Sequence, residues 1–226
     1  KLHNTCWGYL CPAETPEGQS VGIVKNLSYM THVTIHSNSQ PLYEYITPYI
    51  IKLENPELTS INIFDKVKVF INGTWLGISE DPYELFISLK EKKYKGIINI
   101  YTSIVFDYKM KEIRICNDSG RLTRPVLRVK NKNILIDNDM ISKINSGEII
   151  WDNLLTSTSF PESIIEYIDP EEQSWSLIAT KPKDIINYSP EQILKYTHCE
   201  IHPSTIFGIL ASCIPFPENN QSPRNT

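Results

Sequence analysis

Alanine occurs only three times in the 226 residues, at Ala13, Ala179 and Ala211. Isoleucine, asparagine and lysine abound instead, and scarce alanine with plentiful β-branched residues favours sheet over helix. An A/T-rich coding sequence would give the same bias. Arginine is also scarce, with five residues, and the formal net charge is −4. A chain this acidic does not suit a freestanding, sequence-independent nucleic-acid binder, which is normally basic. No run of about 18 apolar residues exists, so no transmembrane helix is expected. The first residues form no apolar h-region and no initiator Met precedes them, so no signal peptide is expected and the setting reads as intracellular. The five cysteines, Cys6, Cys11, Cys116, Cys199 and Cys213, are odd in number and irregular in spacing, which is not a disulfide framework. No Cys-x-x-Cys pair exists, whereas zinc sites usually show two tight ligand pairs. Scattered thiols and hydrogen-bonded histidines are the better reading. A Cys–His hydrolase has no more support, since five Cys and five His always offer candidate pairs.

What is present is an ordinary globular composition, 41% apolar and 21% charged, long enough to bury a core. Residues 1–28 are dense in turn formers and read as a compact loop. Tyr29–His36 alternates, which predicts a strand with Val33 and Ile35 on one face. From Asp65 the pattern sharpens. Two apolar runs flank Asn72-Gly73, a strong hairpin signal. Asp81-Pro82-Tyr83-Glu84 opens a helix with a capping Asp, Pro at the first position and Glu at the third. Leu85, Phe86 and Leu89 give its buried face, and Gly96 ends it. Strands are predicted over 97–108, 112–116 and 125–129, with Asn117–Gly120 as a turn. Residues 65–130 thus read as one α+β unit. Two short helices flank Ser146-Gly147. Residues 164–168 and 176–179 read as two strands of a second β unit over about 148–185, joined by a solvated acidic turn, Asp169–Glu172. Ser189 starts a helix by capping logic, and Pro203–Ser212 reads as a helix capped near His202. The chain opens and closes without any tailing-off in composition, so both ends read as cuts through a longer protein. The fold class is α+β and β-rich, built of several small mixed units.

Three strings stand apart from this background. They are Cys11-Pro12-Ala13-Glu14-Thr15-Pro16-Glu17-Gly18-Gln19, Asp118-Ser119-Gly120-Arg121-Leu122-Thr123-Arg124-Pro125, and the run from Thr197-His198-Cys199-Glu200-Ile201-His202-Pro203 to Gln221-Ser222-Pro223-Arg224-Asn225-Thr226. In this order they resemble the second-largest subunit of multisubunit DNA-dependent RNA polymerases, in its eukaryotic, archaeal or large-DNA-virus form. The hairpin Phe70–Trp75 and the strand Glu166–Asp169 match as well. The resemblance implies an internal part of that subunit. Residues 1–36 would end the fork domain, 37–135 form the first external domain, 136–193 the second, and 194–226 open a truncated hybrid-binding domain.

The resemblance also implies template-directed nucleotidyl transfer, in which Mg2+ ions stabilise the attacking and leaving oxygens. Their ligands would lie outside this chain, so no cofactor is expected on it and the piece alone should be inactive. The implied partners are the largest subunit, other polymerase subunits, template DNA, the RNA–DNA hybrid and the nucleoside triphosphate. The implied setting is nuclear, or cytoplasmic and virion-borne for a virus. Arg224 would face the triphosphate, and its guanidinium fork suits phosphate oxygens. Glu17 would border the active site from a tight turn, orienting a basic neighbour or tuning nucleotide placement. Gln19, Gln221 and Asn225 would lie near nucleotide or RNA, while Lys25 and Asn26 pack. For Arg121 and Arg124, ion pairs within the fold are favoured over phosphate contact. His198 and His202 read as structural. Where the family commonly has Asp-His-Asn, this chain has Glu218-Asn219-Asn220. A non-catalytic module that docks polymerase subunits is the alternative reading.

Overall fold

A computed structural model describes residues 3–56, 63–186 and 195–225. In chain order its elements begin with β1 (His32–Val33), α1 (Gln40–Ile46), β2 (Ile50–Lys52), β3 (Val67–Ile71), β4 (Thr74–Ser79) and α2 (Pro82–Tyr94). Next come β5 (Ser103–Asp107), β6 (Glu112–Cys116), β7 (Leu122–Lys130), β8 (Asn133–Ile134), α3 (Asn138–Ser146) and α4 (Trp151–Leu155). The last are β9 (Ile165–Ile168), α5 (Pro170–Ser174), β10 (Ile178–Ala179), α6 (Pro182–Ile186), β11 (His198–Cys199) and α7 (Ile209–Ser212). This is the mixed, strand-rich architecture expected. The chain forms two compact units, each assembled from separated stretches. Unit 1 comprises residues 1–33, 121–137 and 167–226; unit 2 comprises 34–120 and 138–166. The helix expected from Ser189 lies outside the described residues.

Unit 2 is built on a sheet of order β2-β4-β3-β6-β5, antiparallel except for β3 against β6. Asn72 and Gly73 both take positive φ, 48° and 80°, closing the β3–β4 hairpin through the Ile71–Thr74 pair. Alternation along three strands puts Val69, Ile71, Ile104, Phe106, Ile113 and Ile115 into one apolar core with Leu85 and Leu89 of α2. The Asp81 carboxylate accepts the Glu84 amide at 3.1 Å, as the capping sequence predicts. Past α2, the amides of Gly96 and Ile97 donate back to the carbonyls of Lys93 and Lys92, each at 3.0 Å. That paired closure is the Schellman arrangement. The last two turns of α2 also carry a buried charge cluster that sequence reasoning did not find. Lys90 and Lys93 donate to Glu166 Oε1 at 2.7 and 3.3 Å, and the Tyr94 hydroxyl reaches Oε2 at 3.3 Å.

Unit 1 carries the sheet β1-β7-β11-β10, with β8 and β9 also paired to β7. Its strands other than β7 and β9 are two residues long. Several expectations are corrected here. The 29–36 strand shrinks to His32–Val33, with Val33 and Ile35 exposed and Thr34 buried. The Thr34 hydroxyl donates to the Asp118 carbonyl at 3.0 Å, so a polar anchor rather than the apolar pair sets the inward face. The strand expected over 97–108 begins only at Ser103, because Asn99 accepts the Tyr101 amide and folds 97–102 into a turn. The α+β unit expected over 65–130 stops at Gly120, and β7 belongs to unit 1. β9 and β10 do not form a β unit of their own, since one pairs with β7 and the other with β11. Asp169–Glu172 is no solvated turn. Asp169 caps α5 by accepting the Glu172 amide at 2.8 Å, and both carboxylates are buried. The helix expected over 203–212 divides into a 3-10 turn, Pro203–Ile206, and α7.

Candidate functional site

The loop from Tyr9 to Ser28 in unit 1 is closed at its base by a Leu10–Leu27 bridge. The Cys11 amide donates to the Asn26 carbonyl at 2.8 Å, and the Ser28 amide to the Tyr9 carbonyl at 2.9 Å. Higher up, the Gly22 amide donates to Thr15 Oγ1 at 2.7 Å. Asn26 holds the inside of the loop by donating to the Glu14 carbonyl at 3.4 Å. The tip is a 3-10 turn, Gly18–Ser20, with Gly18 at φ +90°, where a side chain would be strained. Glu17 occupies the position before that turn but its side chain caps nothing. Glu17, Gln19 and Lys25 are exposed. The loop thus presents a carboxylate and a carboxamide on a braced tip.

The carboxyl-terminal segment is fastened to this loop. Ser28 Oγ donates to the Ile206 carbonyl and the Tyr29 amide to the Phe207 carbonyl, both at 2.8 Å. At Gly208 there is no room for a side chain. A Cβ there would collide with the Glu14 carboxylate and come within 3.1 Å of the Leu27 carbonyl. Glu14 is buried, and among the described residues its Oε2 has no hydrogen-bond partner. Beyond α7 the chain makes two further 3-10 turns, Pro217–Asn219 and Ser222–Asn225. Arg224 and Gln221 are exposed, and Asn225 is 2% exposed. Glu17, Gln19, Gln221, Arg224 and Asn225 therefore all belong to unit 1, on two segments joined at 206–208. Among the described residues no hydrogen bond or ion pair links Glu17 to Arg224.

Behind these segments lies a polar interior. Arg124, 3% exposed, donates from Nη1 to Glu200 Oε2 at 2.6 Å and from Nε to Gln173 Oε1 at 2.8 Å. Gln173 in turn donates to the Trp7 carbonyl at 3.0 Å. The Arg124 guanidinium lies 5.5 Å from the Tyr9 ring centre, and the Tyr9 hydroxyl donates to the Ile168 carbonyl at 3.0 Å. Burial pushes the Tyr9 phenol well above its ordinary range, with the Arg124 charge opposing. Arg121 pairs with Asp169 at 3.3 Å. Both arginines are thus ion-paired within unit 1, as favoured above. Sequence reasoning missed the hub around Glu200 and Gln173. It also missed the cap at Asp169, although Asp169-Pro170-Glu171-Glu172 repeats the signature that located α2.

Cys199, His198 and His202 are held in local structural contacts. Burial pushes the Cys199 thiol up to about 11, which leaves it protonated and inert near neutrality. His198 Nδ1 lies 2.9 Å from Thr197 Oγ1. His202 Nδ1 accepts the Ser204 amide at 3.2 Å, the capping role its position predicts. Among the described residues no three His, Cys, Asp or Glu are grouped to hold a metal ion. None of the described helices is long and apolar enough to cross a membrane.

Family models match most of the described chain. Residues 1–33 match RNA polymerase Rpb2, domain 3; residues 69–130 match domain 4; residues 151–203 match domain 5. Three consecutive domains of one protein, met in order, define a subunit of a multisubunit RNA polymerase. Full-chain relatives agree. The chain is 46% identical to DNA-directed RNA polymerase II subunit RPB2 of Encephalitozoon cuniculi, over 100% of this chain and 20% of that protein. It is 36% identical to DNA-directed RNA polymerase subunit 2 of Acanthamoeba polyphaga mimivirus, over 99% of this chain and 20% of that protein. The same identity holds against subunit Rpo2 of Sulfolobus acidocaldarius, over 100% and 20%. The chain belongs to the family of the second-largest subunit of DNA-directed RNA polymerases. It spans about a fifth of the length of these relatives.

Proposed function

We propose that this chain works inside a DNA-directed RNA polymerase, where unit 1 lends Arg224 and the Glu17 turn to nucleotidyl transfer. The support is the family together with the presentation of these residues. An exposed guanidinium and an exposed carboxylate stand on two braced segments of one unit. Arg224 would grip the triphosphate of the incoming nucleotide and offset charge on the departing pyrophosphate. Glu17 and Gln19 would help orient the substrate, and Gln221 would add a donor beside Arg224. Among the described residues no three His, Cys, Asp or Glu are grouped to hold a metal ion. The Mg2+ ions of the reaction would belong to other parts of the enzyme. Residues 1–36, 37–135, 136–193 and 194–226 would serve as the fork end, the two external domains and the start of the hybrid-binding domain. The largest subunit, template DNA and the RNA–DNA hybrid would be the partners, in an intracellular setting.

Unit 2 contains none of these four residues, which favours a second role for it as a docking body for other polymerase subunits. Arg224→Ala in the complete polymerase tests the main reading. Single-nucleotide addition should show a raised apparent KM for the nucleotide and a kcat/KM lower by about a hundredfold, the scale of losing one charge-stabilising donor. Kinetics equal to wild type would reduce the whole chain to scaffold.

A further inference from the structure

Arg224 sits on a double turn whose shape is set by one buried side chain. Asn225 is 2% exposed, and both ends of its carboxamide are engaged. Nδ2 donates to the Pro217 carbonyl at 3.0 Å, and Oδ1 accepts from Asn220 Nδ2 at 3.3 Å. The amide therefore crosses from the last 3-10 turn to the preceding one. The Arg224 amide closes its own turn onto the Gln221 carbonyl at 2.8 Å. The turn that Asn225 grips is itself strained. Phe216, between Pro215 and Pro217, is held at φ 49° and ψ 56° and is 72% exposed. A bulky residue reaches the left-handed region only where its surroundings impose it, and such strain gathers at functional sites. The imposing contacts here are the Asn219 amide on the Phe216 carbonyl at 3.0 Å and the Asn225 amide one residue on.

We infer that Asn225 is a positioning residue for Arg224: its carboxamide locks the strained Pro215–Asn220 elbow to the Ser222–Asn225 turn, and so fixes the backbone from which the guanidinium reaches an anionic substrate. This inference rests on the role of Arg224 proposed above. It gives Asn225 a task different from direct contact with nucleotide or RNA, because its polar atoms are already used inside the fold. An aspartate could not replace it. A carboxylate cannot donate to the Pro217 carbonyl and would set two oxygens against each other in a buried place.

The test is a double-mutant cycle in the complete polymerase, reading kcat and KM for single-nucleotide addition, with subunit assembly and thermal unfolding measured alongside. Asn225→Asp should lower kcat/KM by roughly ten- to a hundredfold, the scale of a small misplacement of a reacting group. In an Arg224→Ala background it should lower it no further, because the residue acts through Arg224. Asn220→Ala removes only one of the two bonds and should give a smaller loss, again absent without Arg224. It decides the question if Asn225→Asp fails to assemble. Equal losses in both backgrounds, or lower thermal stability with unchanged kinetics, would overturn the inference. If Arg224→Ala slows addition and the Asn variants do not, the inference alone falls. If Arg224→Ala is itself silent, the role of Arg224 falls and the inference with it.

Discussion

The two units are stabilised by different means. Unit 2 is organised by a patterned apolar core: five paired strands, α2 above them, and a cluster of Ile, Leu, Val and Phe in which most members are fully buried. Unit 1 buries apolar groups too, among them Val126, Ile168 and Cys199, but its shape depends on polar joints. Arg124–Glu200, Arg124–Gln173, Arg121–Asp169 and the Asn225 carboxamide each tie together stretches distant in sequence or separate turns. Apolar contacts are non-directional, whereas hydrogen bonds and bidentate donors fix angles. The second kind of joint suits a unit that would present a few side chains in defined directions, as proposed for unit 1. The family residues of interest all lie on the unit so built.

The largest expected effect that sharpens this contrast is Arg124→Ala. It leaves the Glu200 carboxylate buried and unpaired, which typically costs about 3–5 kcal/mol. Amide hydrogen exchange across the 226-residue chain should show unit 1 losing protection while β3, β5 and β6 keep theirs. Equal loss in both units would mean that the polar joints of unit 1 are not its separate support. A gentler cut in the other unit is Ile113→Val, which removes one methylene from the centre of the apolar cluster and should cost about 0.5–1.5 kcal/mol. Its effect belongs in the exchange of unit 2 amides. A shift confined to unit 1 would reverse the assignment of cores.

The same contrast decides how far the sequence is legible. In unit 2, local rules and tertiary structure agree for the hairpin, α2 and the apolar core, though not for the long-range Lys90–Lys93–Glu166 cluster or the late start of β5. Asn72-Gly73 makes the hairpin, Asp81-Pro82 starts α2, and the alternating Ile and Val residues all face the core. In unit 1 the signals are long-range. Nothing near Arg124 in the sequence announces Glu200, 76 positions away, or Gln173, 49 away. The two-residue strands β1, β10 and β11 are too short for periodicity to show. Val33 and Ile35 alternate as a buried pair would and yet are exposed, because pattern specifies two faces but not which face is covered. Of the candidate site, the residues were proposed from family strings alone, and the structure adds that Glu17 and Arg224 are exposed. The burial of Asn225 and the lack of space at Gly208 were not legible, since both depend on chain segments folding back on each other.

The smallest expected effect separates the units by pH. Burial holds the imidazole of His32, edge-on to Tyr167 at 5.1 Å, below its ordinary value of 6.5. The unfolded chain therefore takes up the proton first as pH falls, and unit 1 loses stability from about pH 7 towards the lower folded value. In unit 2 the Met110 amide, with further help from Arg114 and the Lys109 amide, holds the Asp107 carboxyl below 3.8 despite its burial. There the folded state resists protonation, so that contribution is intact above 3.8 and lost only in stronger acid. With Trp75 and Trp151 replaced by Phe, the remaining Trp7 and Trp175 report on unit 1 alone. Their urea midpoint should fall between about pH 7 and pH 5, and His32→Phe should flatten that fall. An unchanged slope after His32→Phe would assign the pH sensitivity of unit 1 to other groups and remove this difference between the two units.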